Sequence, residues 1–194
     1  MYEKAKDPIK AVVLFDKACK GNIMEACAKL GRFYADGTGV AKDVTKAAAL
    51  FEQACTGEYM QNDTPDAKDP LRVGSPFTSG ATMGCYYLGD MYADGKGVSK
   101  DVTKAAARYQ RICTKDSLGC VELGILYARG KGITKDVTKA TALFEEACTH
   151  EDMDGCYNLG VCYERGVGVT KDVTKAAALF KQACKDGVPH ACKR

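Results

Sequence analysis

The chain has no tryptophan, and its 194 residues include only two histidines and five prolines. No run of apolar residues is long enough to span a bilayer, and the N-terminus shows neither a secretory h-region nor a transit-peptide pattern. His150 and His190 fit neither H-E-x-x-H nor a zinc-finger spacing, so no metal site is expected. Charge of one sign is also lacking. Twenty-eight Lys and Arg stand against 25 Asp and Glu, a net +3 with the signs interspersed. That balance predicts no basic face for nucleic acid and no polybasic membrane tract.

What the chain has is repetition. The sextet Lys-Asp-Val-Thr-Lys-Ala begins at Lys42, Lys100, Lys135 and Lys171, and a degenerate copy, DPIKAVVLFDKAC, opens at Asp7. A period of about 36 residues is the signature of stacked helix pairs, none of which can bury its apolar face alone. The longer first interval then holds an insertion of roughly 22 residues. The predicted class is all-α, an α/α solenoid of antiparallel helix pairs in one array. Its units fall at about 7–21 (partial), 22–57, 82–114, 115–149, 150–186 and 187–194 (partial), with an inserted loop at 58–81.

Two helical stripes define each unit. In the first helix Cys, Leu, Gly and Tyr recur at offsets 0, 3, 4 and 7, as in CAKLGRFYADG from Cys27 and CYNLGVCYERG from Cys156. The recurring glycine (Gly31, Gly89, Gly124, Gly160) costs about 1 kcal/mol of helix propensity against Ala, which predicts close backbone packing. A Gly-x-Gly turn then ends the helix, and Asp43, Asp101, Asp136 and Asp172 are placed to cap the next. In the second helix Ala47, Phe51 and Ala54 recur as Ala140, Phe144, Ala147 and as Ala176, Phe180, Ala183, with Ala105, Tyr109 and Ile112 as the variant. A phosphate-cradling loop would occur once and follow a strand, so these glycines read as caps.

Eleven cysteines fall as Cys19 with Cys27, Cys55 with Cys85, Cys113 with Cys120, Cys148 with Cys156 and Cys184 with Cys192, leaving Cys162. Each pair closes one helix and opens the next, within disulfide reach across a hairpin, and C-x2-C zinc spacing is absent. Five disulfides and an oxidising compartment follow, so the chain is read as secreted or periplasmic, in a mature or trimmed form with an added Met1. Cys162 aligns with Phe33, Met91 and Leu126 and reads as a buried core residue.

C-x2-L-G-x2-Y followed by A-x3-F-x2-A resembles the tetratricopeptide signature, with Cys where Trp is common. The longer period, the Gly-x-Gly turn and the paired cysteines make the chain similar to Sel1-like repeat proteins of the Helicobacter cysteine-rich type. That resemblance implies an adaptor that binds proteins or peptides in the concave groove. For the cysteine-rich group it also implies binding or weak hydrolysis of β-lactam or peptidoglycan-derived ligands. S-x-x-K, K-T-G and S-D-N are all absent, so a serine β-lactamase mechanism is not expected and no catalytic residue is assigned. No cofactor is expected either.

Binding residues are sought where copies differ beside fixed neighbours. One, two and five positions after the first-helix cysteine these are Ala28, Lys29 and Arg32; Tyr86, Tyr87 and Asp90; Val121, Glu122 and Ile125; Tyr157, Asn158 and Val161. By the tetratricopeptide resemblance the first and third of each set line the concave face. Tyr86 and Tyr157 are the anchor candidates, with intra-array packing as their alternative role. The insertion reads as a solvated loop, as a recognition loop using Leu71, Arg72, Val73 and Phe77, or as a deliberate graft.

Overall fold

The computed structural model describes residues 7–56, 80–113 and 117–194. Among them are nine α-helices and no strand: α1 (Pro8–Lys20), α2 (Met24–Asp36), α3 (Val44–Thr56), α4 (Gly80–Asp94), α5 (Val102–Cys113), α6 (Ser117–Arg129), α7 (Val137–Thr149), α8 (Met153–Arg165) and α9 (Val173–Lys185). A 3-10 turn, Ala191–Lys193, follows. The fold is an all-α helical-repeat solenoid cross-linked by disulfides. Its residues fall into two compact units, one ending at Lys100 and one beginning at Asp101. In the first, α1 to α4 stack in order and α2 also meets α4; in the second, α5 to α9 stack in order and α6 meets α8.

Local chemistry fixes where the helices start and stop. The carboxylates of Asp7, Asp43, Asp101, Asp136 and Asp172 accept the backbone N–H three residues on, at 2.8–3.1 Å, so the recurring Asp is the N-cap of every second helix. On the other side of the same turns, Gly37 and Gly166 take left-handed φ of 76° and 68° and cap the ends of α2 and α8. The amides of Asp43, Asp136 and Asp172 donate to the carbonyls of Tyr34, Tyr127 and Tyr163 at 2.9–3.0 Å, closing each turn.

The second glycine of each turn has another duty. A Cβ on Gly39 would fall 2.7 Å from the Pro8 carbonyl carbon, on Gly132 2.7 Å from the Val102 Cβ, and on Gly168 against the carbonyl oxygen of Val137. Each turn is therefore pressed onto the start of the previous repeat's second helix. The glycine supplies both the positive φ and the room.

The stripes pack as their spacing predicts. A Cβ on Gly31, Gly124 or Gly160 would lie 2.6–2.7 Å from the ring of Phe51, Phe144 or Phe180, so each phenylalanine sits in a notch made by glycine. Phe51, Phe144 and Phe180 are buried, as are the flanking alanines Ala47, Ala54, Ala140, Ala147, Ala176 and Ala183. Burying such a ring is worth about 1.5–3 kcal/mol, enough to outweigh the poor helix propensity of the glycine beneath it.

One boundary shifts. The loop expected at 58–81 ends earlier, because α4 begins at Gly80 and so takes in Gly80 and Ala81. Gly80 abuts the backbone of Met24 and Glu25, an approach that a side chain would block, and this contact extends the helix N-terminally. The recognition-loop residues Leu71, Arg72, Val73 and Phe77 lie outside the described residues.

Candidate functional site

Five disulfides join Cys19 to Cys27, Cys55 to Cys85, Cys113 to Cys120, Cys148 to Cys156 and Cys184 to Cys192, with Cα separations of 4.5–4.8 Å. Each sits where a second helix hands over to the next first helix. The turns between them use left-handed residues at Asn22 (φ 63°), Glu151 (φ 62°) and Gly187 (φ 102°). A carboxylate oxygen of Glu146 lies within 4.8 Å of the sulfurs of Cys113 and Cys120, but sulfurs joined to each other offer no thiolate to a metal.

Cys162 is the free thiol, buried beside Ala140, Phe144 and Leu159. Burial pushes its pKa up, against a smaller opposing hydrogen bond with Thr141, so the thiol stays protonated and unreactive at neutral pH. His150 is exposed, and its Nδ1 lies 2.8 Å from the Glu146 carbonyl. His190 packs edge-on against Tyr157, ring centroids 4.4 Å apart. Neither histidine is brought to Cys162 as a base.

The candidate binding residues separate by position. In the first unit, Arg32 of α2 is exposed, and its guanidinium carbon lies 5.7 Å from the ring centroid of Tyr87 on α4. Tyr87 stacks on Phe51 at 5.1 Å, and Tyr86 meets Tyr87 edge-on at 5.5 Å. Asp90 lies one turn further along α4, half-buried. Arg32, Tyr86 and Tyr87 thus form one ledge of a cation over aromatic rings, spanning two neighbouring first helices.

The second unit treats the same positions differently. Val121 is buried at 5% exposure, like Ala28 in the first unit, so neither side chain is presented to a partner, whereas Tyr86 and Tyr157 at the same offset are half-buried. Ile125 packs against the Phe144 core, and Tyr157 leans on Phe180 at 5.6 Å. Arg194 lies over Phe180 at 5.8 Å and binds both oxygens of Glu164 at 3.2 and 2.9 Å. The Asn158 amide donates to the Asp154 carbonyl at 2.8 Å, while Glu122 and Val161 are half-buried on α6 and α8. Tyr157 is therefore tied into packing at the end of the second unit.

Sequence reasoning missed a further ladder. Lys46 and Lys139 donate to the phenol oxygens of Tyr34 and Tyr127 at 2.7 and 2.8 Å and lie over those rings, and Lys175 lies over Tyr163 at 5.2 Å. The signal was legible as a Tyr twelve residues before a Lys in every copy. A shallow concavity of about 580 Å³ at the α2–α3 turn is lined by Tyr34, Val40, Lys42, Asp43 and Lys46, away from the ledge.

Helix pairs in a fixed period, glycine-notched and stapled at each handover, define a helical-repeat scaffold. Sequence comparison makes that specific. The Sel1 repeat profile matches residues 2–23, 25–59, 82–116, 117–152 and 154–188, and the chain belongs to the Sel1 repeat family. No curated protein matches it. Among solved structures, a Sel1 repeat protein from Oxalobacter formigenes is 29% identical with a TM-score of 0.78, covering 96% of this chain and 67% of its own. A protective antigen present in uropathogenic Escherichia coli strains, displaying an SLR fold, is 26% identical with a TM-score of 0.77 over 95% of this chain. The chain spans only 35% of that antigen. Helicobacter pylori cysteine rich protein B is 28% identical with a TM-score of 0.54, covering 78% of this chain and 94% of its own.

Proposed function

We propose that the chain is a protein- or peptide-binding scaffold that takes an extended segment of its partner across the first-helix side of α2 and α4, the side that the family resemblance makes concave. The observation that carries this reading is the ledge of Arg32 over Tyr87 with Tyr86 edge-on. Tyrosine and arginine are the residue types in which binding energy concentrates, since they offer large amphipathic area and fixed donors at low entropy cost. Asp90 supplies a carboxylate beside them, so the ledge suits a segment with an apolar or aromatic side chain flanked by charge. In the second unit Glu122, Asn158 and Val161 are candidate contacts of that unit's own, with Tyr157 in a supporting role.

The disulfides support an oxidising location, secreted or periplasmic, and no described helix is long and apolar enough to cross a membrane. The β-lactam reading has less behind it. Its only free described thiol is buried and protonated, with no histidine beside it.

The test is selection of displayed peptides against the oxidised protein, followed by affinity measurement on a Tyr86→Ala, Tyr87→Ala variant. Loss of hot-spot anchors should weaken binding about thirtyfold or more. Selected peptides that bind wild type and variant equally would defeat the reading, as would saturable turnover of a chromogenic β-lactam.

A further inference from the structure

The total charge conceals an uneven distribution. All of the net +3 resides in residues 101–194, which hold fifteen Lys and Arg against twelve Asp and Glu. Within that unit the α7–α8 handover and the turns at the opposite edge differ in charge. Each 13-residue helix is about 20 Å long, so the first-to-second turns and the second-to-first turns lie on opposite edges. The α7–α8 handover carries Glu145, Glu146, Glu151, Asp152 and Asp154. The opposite edge is basic.

On that basic edge the α6–α7 junction presents Arg129, Lys131, Lys135 and Lys139, and the α8–α9 junction presents Arg165, Lys171 and Lys175, all exposed. The two junctions are contiguous: the Thr141 hydroxyl donates to the Val167 carbonyl at 3.1 Å, and Gly168 is pressed onto the start of α7. Their carboxylates are already engaged. Asp136 and Asp172 accept backbone amides as helix caps, and Glu164 is held by Arg194. The first unit shows no such bias. Its turns carry Asp36 and Asp94 immediately before the first glycine, where the second unit has Arg129 and Arg165, and Lys96 is paired with Asp94 at 2.7 Å.

A second feature coincides with the first. The exposed large apolar residues of the second unit are Val167 at 39% and Val173 at 59%, and both stand on this basic edge among Arg165, Lys171 and Lys175. The rings on the edge, Tyr127 and Tyr163, have Lys139 and Lys175 over their faces, so they offer no stacking platform for bases.

We propose that the α6–α7 and α8–α9 turn edge is a second docking surface, for an acidic protein segment that also carries aliphatic side chains. It rests on the scaffold reading and adds the chemistry of one partner segment. Carboxylates of the segment meet the cations in solvent-exposed pairs, which speed and orient encounter, while its aliphatic residues cover Val167 and Val173. Restoring the first unit's pattern with Arg129→Asp, Arg165→Asp disables the surface. Asp occupies the equivalent sites at Asp36 and Asp94, so the fold tolerates the change.

The experiment is fluorescence anisotropy with a labelled 15-residue peptide of repeating Glu and Leu, its Gln-for-Glu counterpart, a single-stranded oligonucleotide of equal charge, and phosphatidylglycerol–phosphatidylcholine vesicles. The Glu peptide should bind wild type best, weaken with salt, lose about tenfold on Arg129→Asp, Arg165→Asp and be unchanged on Tyr86→Ala, Tyr87→Ala. Circular dichroism of each variant confirms an unchanged fold. No binding, equal binding of the Gln peptide, no loss on the charge-reversed variant, or tighter binding of oligonucleotide or vesicles would overturn the proposal. Loss on the tyrosine variant in place of the arginine variant would remove this surface and leave the ledge standing.

Discussion

Glycine at offset 4 of the first helices is the residue on which the packing turns. Any side chain at Gly160 would enter the Phe180 ring, so Gly160→Ala should destabilise the protein by about 1–3 kcal/mol in denaturant unfolding, although Ala is the better helix former. Its recurrence at a helix interior made close packing legible in the sequence, but not which ring fills the notch, since that depends on the neighbouring helix. Cys162 gives the pH-dependent counterpart. Its pKa is raised by burial, so the folded state holds its proton more tightly than the unfolded chain. The stability this gives is complete below the ordinary thiol range and is lost as pH rises through the raised value. Stability should therefore fall more steeply with alkaline pH in the wild type than in Cys162→Ala, measured by denaturant midpoints from neutral pH upward.

Turns and staples govern the elements. The Asp caps were readable because the residue type and its place before Val-Thr-Lys dictate the chemistry, and the pairing of cysteines across short turns was readable from spacing alone. The second glycine of each turn was not. Read alone it is a cap, and only the stacked repeat shows Gly168 seated on Val137. Gly168→Ala should thus cost more than a φ penalty alone, and hydrogen exchange should report the loss at the start of α7. The disulfides differ in loop length. Cys55–Cys85 closes 30 residues and Cys113–Cys120 closes 7, so in the chain-entropy model serine replacement of the first pair should cost about 3.6 kcal/mol and of the second about 2.4. Equilibrium unfolding of the two double-serine variants checks the order.

At the scale of the molecule, the repeat period reveals the architecture, but composition hides the surfaces. Offset arguments placed Arg32, Tyr86 and Tyr87 among the candidates and equally placed Val121, which is buried, because a helical offset does not say which neighbour covers it. The basic edge escaped the charge count since net charge sums over edges that the fold separates; its trace was the exchange of Asp36 and Asp94 for Arg129 and Arg165 in otherwise matching turns. Reagents that reduce all five disulfides should abolish binding at the ledge together with the helical signal, because each staple ties one helix to the next. The most direct test of the scaffold account is amide hydrogen exchange of the oxidised protein with and without a selected peptide. Protection concentrated on α2 and α4 around Arg32, Tyr86 and Tyr87 is the predicted result. Unchanged exchange in both helices, with a bound peptide present, would contradict it.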